Sequence, residues 1–206
     1  NGIAGLSIDE RLTIANMTTE WGALAGVFPI DQVTIQWLRN RADFISQRGL
    51  ENVPSDIDSK NGTHPRLNKN RINKLEHDPI TANDGAFYTK EIELDLNSVS
   101  PHIAGPNHVK TMTSLHQAAR KKIKIDKAYL VSCVNSRVED LAEAAKAIKG
   151  QKVASGVEFY IAAASNEVQA ESEFRGDWQA LVEAALRSTS VAHTAQLREF
   201  LARPVS

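Results

Sequence analysis

Cysteine is nearly missing: Cys133 is the only one in 206 residues. A lone thiol excludes an internal disulfide, and so sparse a use fits a reducing compartment. No apolar run approaches the roughly 20 residues that a membrane-spanning helix needs. No secretory signal opens the chain, and its first residue is Asn1 rather than Met, which reads as processing or excision from something longer. A dominant charge of one sign is absent too. Lys and Arg number 24 against 25 Asp and Glu, for a net charge of −1, which argues against nucleic acid or a membrane surface as the main partner. The histidines His64, His77, His102, His108, His116 and His193 show no H-x-x-x-H or H-E-x-x-H spacing, so no zinc site is expected. A Gly-rich phosphate loop, a G-x-S-x-G elbow and a dinucleotide fingerprint are likewise missing. Two N-x-T sequons, at Asn16 and Asn61, read as chance without a secretory signal.

What is present is an apolar fraction of 42%, enough for a real core, and a sequence of legible elements. Ser7 and Glu10 have capping-box spacing. Leu12, Ile14, Ala15, Met17, Trp21, Leu24 and Ala25 then follow at helical intervals, which predicts one helix ended by Gly26 and Pro29. A second helix is expected over 31–47. Residues 48–86 are rich in Gly, Pro, Asn and Asp and read as irregular, with a short helix near 70–76. Such a length inside a domain usually wraps a neighbour, carries function or moves.

From Phe87 to Leu96 the pattern turns β-like, with Ile92, Leu94 and Leu96 alternating with Glu91, Glu93 and Asp95. The stretch Ser100 to Pro106 is a turn-rich break and the expected domain boundary. Lys121, Lys122, Lys124 and Lys127 read as a solvated edge before a buried strand over 128–131. Ser136 and Glu139 suggest a second capping box, Leu141, Ala144, Ala145 and Ile148 one apolar helical face, and Gly150 its C-terminal stop. A strand over 157–163 follows, then a helix over 178–186. Strand, helix, strand at this spacing is a βαβ unit and predicts a parallel sheet.

Two places could carry chemistry. Ser132-Cys133-Val134-Asn135-Ser136 lies between a strand end and a helix start, where ligands bind in open α/β sheets. Free amides and the helix dipole there stabilise a thiolate; the plainer alternative is a buried structural cysteine. Asn16 and Glu20 are four apart and would share one side of the first helix. They could hold a hydroxyl, a water or a polyanion, or Glu20 is simply a solvated helix residue.

At these segments the sequence resembles the aconitase superfamily. Asn16-Met17-Thr18-Thr19-Glu20-Trp21-Gly22-Ala23 with Phe28-Pro29 is similar to its N-M-x-x-E-x-G-A…F-P segment. Asp95-Leu96 through Pro101-His102-Ile103-Ala104-Gly105-Pro106 is similar to its D-L…P-H-x-x-G-P stretch. Ser132-Cys133-Val134-Asn135-Ser136 is similar to its S-C-T-N-S motif, with Val134 in place of the usual Thr. The details lie nearest the fungal homoaconitase branch, and the resemblance covers about 1–185.

It implies an α/β fold of two partial aconitase-type domains with mostly parallel sheets flanked by helices. Residues 1–100 would be the later part of domain 2. Residues 101–206 would be the front of domain 3, with a divergent tail from about 187. By the same resemblance Cys133 is one ligand of a [4Fe–4S] cluster, Asn16 and Glu20 are active-site residues, and Asn135 stands beside the ligand. The implied reaction is the reversible hydration of a small tricarboxylate, homoaconitate to homoisocitrate, in the mitochondrial matrix, although no transit peptide is seen.

The resemblance also shows what these residues do not supply. A cluster of this type with one open iron takes three protein thiolates, ligation through Cys running to three or four sulfurs; the family's other two lie in a downstream C-G-P-C motif. After Ala184 the sequence departs from the family, Arg187 to His193 carry no cysteine, and Leu197, Phe200 and Leu201 read as an amphipathic helix able to cover a sheet edge. The chain alone is therefore expected to hold no cluster and to be inactive, with the family's missing domains as its partners. A cluster-free binding or interaction module is the alternative, and an orphan piece with no function of its own the plainest one.

Overall fold

A computed structural model describes residues 2–49 and 64–185, and the backbone of 191 and 192. It divides into two compact units, one up to Val99 and one from Ser100.

The first unit is helical among the described residues. Helix α1, Ile8–Asn16, starts on the expected capping box: the Ser7 hydroxyl accepts from the Glu10 amide at 3.3 Å, and Glu10 accepts from the Ser7 amide at 2.7 Å. It does not run on to Gly26. The chain leaves helical geometry at Met17 and restarts as the short α2, Thr18–Trp21. The β-branched pair Thr18-Thr19 lowers helix propensity at that point, and Gly22, at φ +79, closes the turn.

Helix α3, Gln32–Arg48, is capped by Asp31, whose carboxylate accepts from the Thr34 amide at 3.0 Å. Helix α4, Lys69–His77, packs against it. Ile35, Ala42 and Ile72 are buried between them, with Leu38, Leu67 and Leu75 alongside, and Arg39 reaches Asn73 at 3.0 Å and pairs with Glu76. The second sequon at Asn61 and residues 50–63 of the stretch read as irregular lie outside the described residues.

The β-like segment 87–96 is not a strand. No ladder forms there, Leu96–Ser98 is a 3-10 turn, and every residue from Thr81 to Ser100 is exposed. Alternation makes a strand competent, but a strand exists only against a partner, and none is present among the described residues.

In the second unit, the segment read as turn-rich forms β1, His102–Ala104, paired antiparallel with β2, Met112–Ser114. Helix α5, Leu115–Arg120, follows, capped by Ser114.

The expected βαβ unit is there: β3, Lys127–Val131, α6, Val138–Ile148, and β4, Glu158–Ala162, in parallel register Lys127 to Glu158 through Val131 to Ala162. The α6 cap lies one residue later than the sequence suggests. Arg137 is the N-cap residue, and its amide donates to Asp140 at 3.0 Å. Helix α6 ends at Ile148, and Gly150 takes the left-handed φ of +74 just beyond.

Helix α7, Asn166–Arg175, was hidden by its low amphipathicity and is set by a Ser165 cap. Helix α8, Asp177–Ala185, matches the expected element, and β5, Val191–Ala192, joins β4 in parallel. Strand order β3-β4-β5 follows chain order. Leu130, Phe159 and Ile161 face the helices and pack with Leu141, Ala145, Leu181 and Ala185. The result is a mixed fold with a parallel sheet, as an α/β architecture requires. The expected tail helix over 193–206 lies outside the described residues.

The sheet's other face is open among the described residues. It carries Lys127, Tyr129 and Val131 from β3, with Tyr129 and Tyr160 stacked at 4.9 Å and 10°. The Tyr160 hydroxyl donates to Glu158, which also pairs with Lys127 at 3.3 Å.

Candidate functional site

The strand-tip segment is built as the sequence requires. β3 ends at Val131, α6 begins at Val138, and the intervening turn presents the Cys133 thiol to solvent. The thiol is thus exposed among the described residues, where the structural alternative expected a buried one.

Ser132 shapes the turn. Its hydroxyl oxygen accepts from the amides of Val134 and Asn135, both at 3.0 Å. A short polar side chain ahead of a turn commonly serves its backbone in this way, so this role was readable from the sequence although it was not singled out. The Ser136 carbonyl accepts from the Ala164 amide at 2.9 Å, tying the turn to the end of β4. Ser136 is fully buried and its hydroxyl finds no partner among the described residues. Asn135 is exposed beside Cys133.

In the first unit, Asn16 closes α1 and is exposed, while Glu20 sits within α2 and is half-buried. The helix break at Met17 means that the two do not share the face of one continuous helix. A turn replaces that face: the Glu20 amide donates to Met17 at 3.1 Å and the Ala23 amide to Thr18 at 2.9 Å. Glu20 Oε2 is buried with no hydrogen-bond partner among the described residues. Such an atom calls for an explanation.

Gly26 packs directly on this turn. A Cβ there would lie 3.0 Å from Thr18 Cγ2 and 3.2 Å from the Ala15 Cα. Gly26 was read only as a helix stop; its close approach has no signature in a single sequence.

Beneath the turn, Arg11 is 3% exposed. It donates to both Asp31 oxygens at 2.8 Å and to the carbonyls of Ile3 at 2.8 Å and Leu6 at 3.1 Å. These bonds, reinforced by the Thr34 amide, hold the Asp31 carboxyl well below the usual carboxylate range against the opposing effect of burial. The pair anchors the start of α1 to the start of α3. Twenty residues separate its members, so no local pattern announces it.

The aconitase family model matches residues 1–192, by its description the aconitase family (aconitate hydratase). The chain belongs to this family. Among relatives of the aconitase-family chain, the mitochondrial homoaconitase of Mycosarcoma maydis is 50% identical over 191 residues, covering 91% of this chain and 25% of that protein. The mitochondrial homoaconitase of Cryptococcus neoformans var. neoformans is 49% identical over 190 residues, covering 91% and 26%. That of Candida albicans is 45% identical over 187, covering 91% and 25%. The aconitase-family chain thus spans about a quarter of the length of the curated relatives it matches.

The family implies an iron–sulfur cluster, and the donor set tests it. Cys133 fits one thiolate ligand: exposed, at a strand tip, and ahead of a helix. No group of three or more His, Cys, Asp or Glu placed to hold a metal occurs among the described residues, and the sequence has a single cysteine. These 206 residues do not by themselves fit a cluster that takes three protein thiolates.

Proposed function

We propose that the chain is one portion of a homoaconitase-type hydro-lyase, and that its activity, the reversible hydration of homoaconitate to homoisocitrate, needs polypeptide beyond these residues. The observation that carries this reading is the exposed Cys133 thiol on a serine-braced turn at the tip of β3. It is supported by identities near 50% to homoaconitases over 91% of the chain. In this reading residues 1–100 are the later part of an aconitase-type second domain and 101–206 the front of the third. The mitochondrial names of the relatives support the matrix as its compartment.

Cys133 supplies one of the cluster's thiolates, and Asn135 stands beside it. Asn16 and Glu20 belong to the substrate side, where the unpartnered Glu20 oxygen accepts a hydrogen bond from a hydroxyl of the tricarboxylate or from a water. A positioned carboxylate of this kind can also take part in proton transfer.

Grafting tests the positive half. The chain replaces the matching quarter of the Mycosarcoma maydis homoaconitase, and hydration of homoaconitate is assayed. The chimera is expected to be active and to lose activity with Cys133→Ser. Activity indifferent to that substitution sinks the ligand assignment.

Reconstitution of the chain alone, with iron and sulfide under anaerobic conditions, tests the other half. A stable cubane absorption spectrum on the monomer overturns the claim that more sulfurs are required. The thiol shortage also favours a second reading, a cluster-free module that binds polycarboxylates. Calorimetric binding of homoisocitrate without iron would establish that reading in place of the first.

A further inference from the structure

We propose that Arg11 is a positioning residue for Glu20: by clasping Asp31 it closes the neck of the excursion 12–30 and so fixes where the Glu20 carboxylate lies. The inference rests on the hydro-lyase reading, in which Glu20 meets the substrate; Arg11 acts on it only through the frame between them.

The excursion leaves α1 after Asn16, turns through α2 and re-enters helix at α3. It carries both substrate-side residues of the first unit. No apolar side chain of residues 12–30 is buried among the described residues, and Trp21, Leu24 and Val27 are exposed. Its shape therefore comes from polar and backbone contacts at its base and not from a core.

Those contacts gather at the neck. A guanidinium has five N–H donors, and Arg11 makes a bond with each. Two go to Asp31 Oδ1 and Oδ2 at 2.8 Å, one to Thr34 Oγ1 at 3.2 Å, and two to the carbonyls of Ile3 and Leu6. A forked guanidinium–carboxylate pair fixes the angle between its partners as well as their distance. Closing the neck also removes the conformational freedom that an open loop would keep.

Two routes carry this constraint to the turn. One runs along α1 to Met17, roughly 9 Å at 1.5 Å per residue, and the Met17 carbonyl accepts from the Glu20 amide. The other runs back from Asp31 to Gly26, where a Cβ would stand 3.0 Å from Thr18 Cγ2. Thr18 is buried there, and its carbonyl accepts from the Ala23 amide. Glu20 Oε2 is buried with no hydrogen bond among the described residues. No bond orients that oxygen, so the backbone of the turn decides where it lies.

Nuclear magnetic resonance relaxation in the chain and kinetics in the homoaconitase chimera test this separately. Arg11→Lys keeps the charge but replaces the fork by a single nitrogen with three donors. In the chain the order parameters of the Glu20 and Ala23 amides should fall from about 0.85 to below about 0.6, with those of Ile72 and Leu141 unchanged. Asp31→Asn carries the same expectation and serves if Arg11→Lys unfolds the first unit. In the chimera Arg11→Lys should lower kcat/KM for homoaconitate at least about tenfold. Added to Glu20→Gln it should cost less than about twofold more, since a positioning residue acts only through the group it positions. Order parameters that stay high in both variants, or losses that add in full, overturn the proposal. A chimera inactive with its native residues strikes the hydro-lyase reading instead, and the order parameters then decide the clasp.

Discussion

Arg11 is a buried cation with its partners in place, and its worth is set by what happens when one is removed. Asp31→Asn keeps the shape but leaves the guanidinium without an anion. Breaking a buried pair costs about 3–5 kcal/mol, and the 30% exposure of the Asp31 side chain brings the expected loss to about 2 kcal/mol, measurable by urea unfolding. The pH dependence follows from the depressed Asp31 pKa. A carboxylate more acidic in the folded than in the unfolded chain contributes in full above its unfolded value, 3.8, and loses that contribution as pH falls towards its folded value. Stability should therefore drop below about pH 4, and the drop should be shallower in Asp31→Asn. At Gly26 the limit is space. Gly26→Ala should cost about 1–3 kcal/mol by overpacking, since the Ala15 backbone cannot step aside as a flexible side chain can. In the active chimera Gly26→Ala should raise KM for homoaconitate, because it moves the Asn16–Glu20 turn and leaves the thiol in place.

At the scale of elements, stability in the second unit rests on α6 and α8 against the sheet. Leu141 is fully buried among Ala145, Ile161 and Leu181, so Leu141→Ala should cost about 2–5 kcal/mol. That is a large part of the margin of an ordinary domain and would appear as a lowered urea midpoint. The elements most easily read beforehand were those whose signals are local. The α1 capping box, the apolar stripe of α6 and the short apolar run of β3 each depend on neighbours in sequence, although β3 proves buried on one face only. The break at Met17 was not legible, because apolar spacing from Leu12 to Ala25 continues across it and only Thr18-Thr19 speaks against the helix. Helix α7 buries Ser172 rather than an apolar stripe, which left no periodicity to find. The segment 87–96 failed for the opposite reason: its pattern is that of a strand, and what decides the outcome is a partner that no pattern within it can report.

For the whole molecule, the site was legible in its parts. Cys133 and Asn135 are where a strand-to-helix junction puts them, and Asn16 and Glu20 sit on a turn instead of the single helical face expected. The bracing by Ser132, the close packing of Gly26 and the Arg11–Asp31 anchor come from distances that spacing does not encode. Ligand number argues at this same scale. Local geometry offers one sulfur in a suitable place, while a cluster with an open iron takes three protein thiolates, and the chain spans about 25% of the length of the Mycosarcoma maydis relative.

The paired phenols on the sheet face that is open among the described residues give the chain an optical gauge. Two of its three tyrosines lie ring over ring, and Tyr160, whose hydroxyl donates a hydrogen bond to the Glu158 carboxylate, ionises above the ordinary value of 10.0. Alkaline difference absorption should therefore show a late-titrating phenol that Glu158→Gln brings back towards that value. Whatever polypeptide comes to lie across those rings would announce itself as a change in their near-ultraviolet dichroism, before any activity could be assayed.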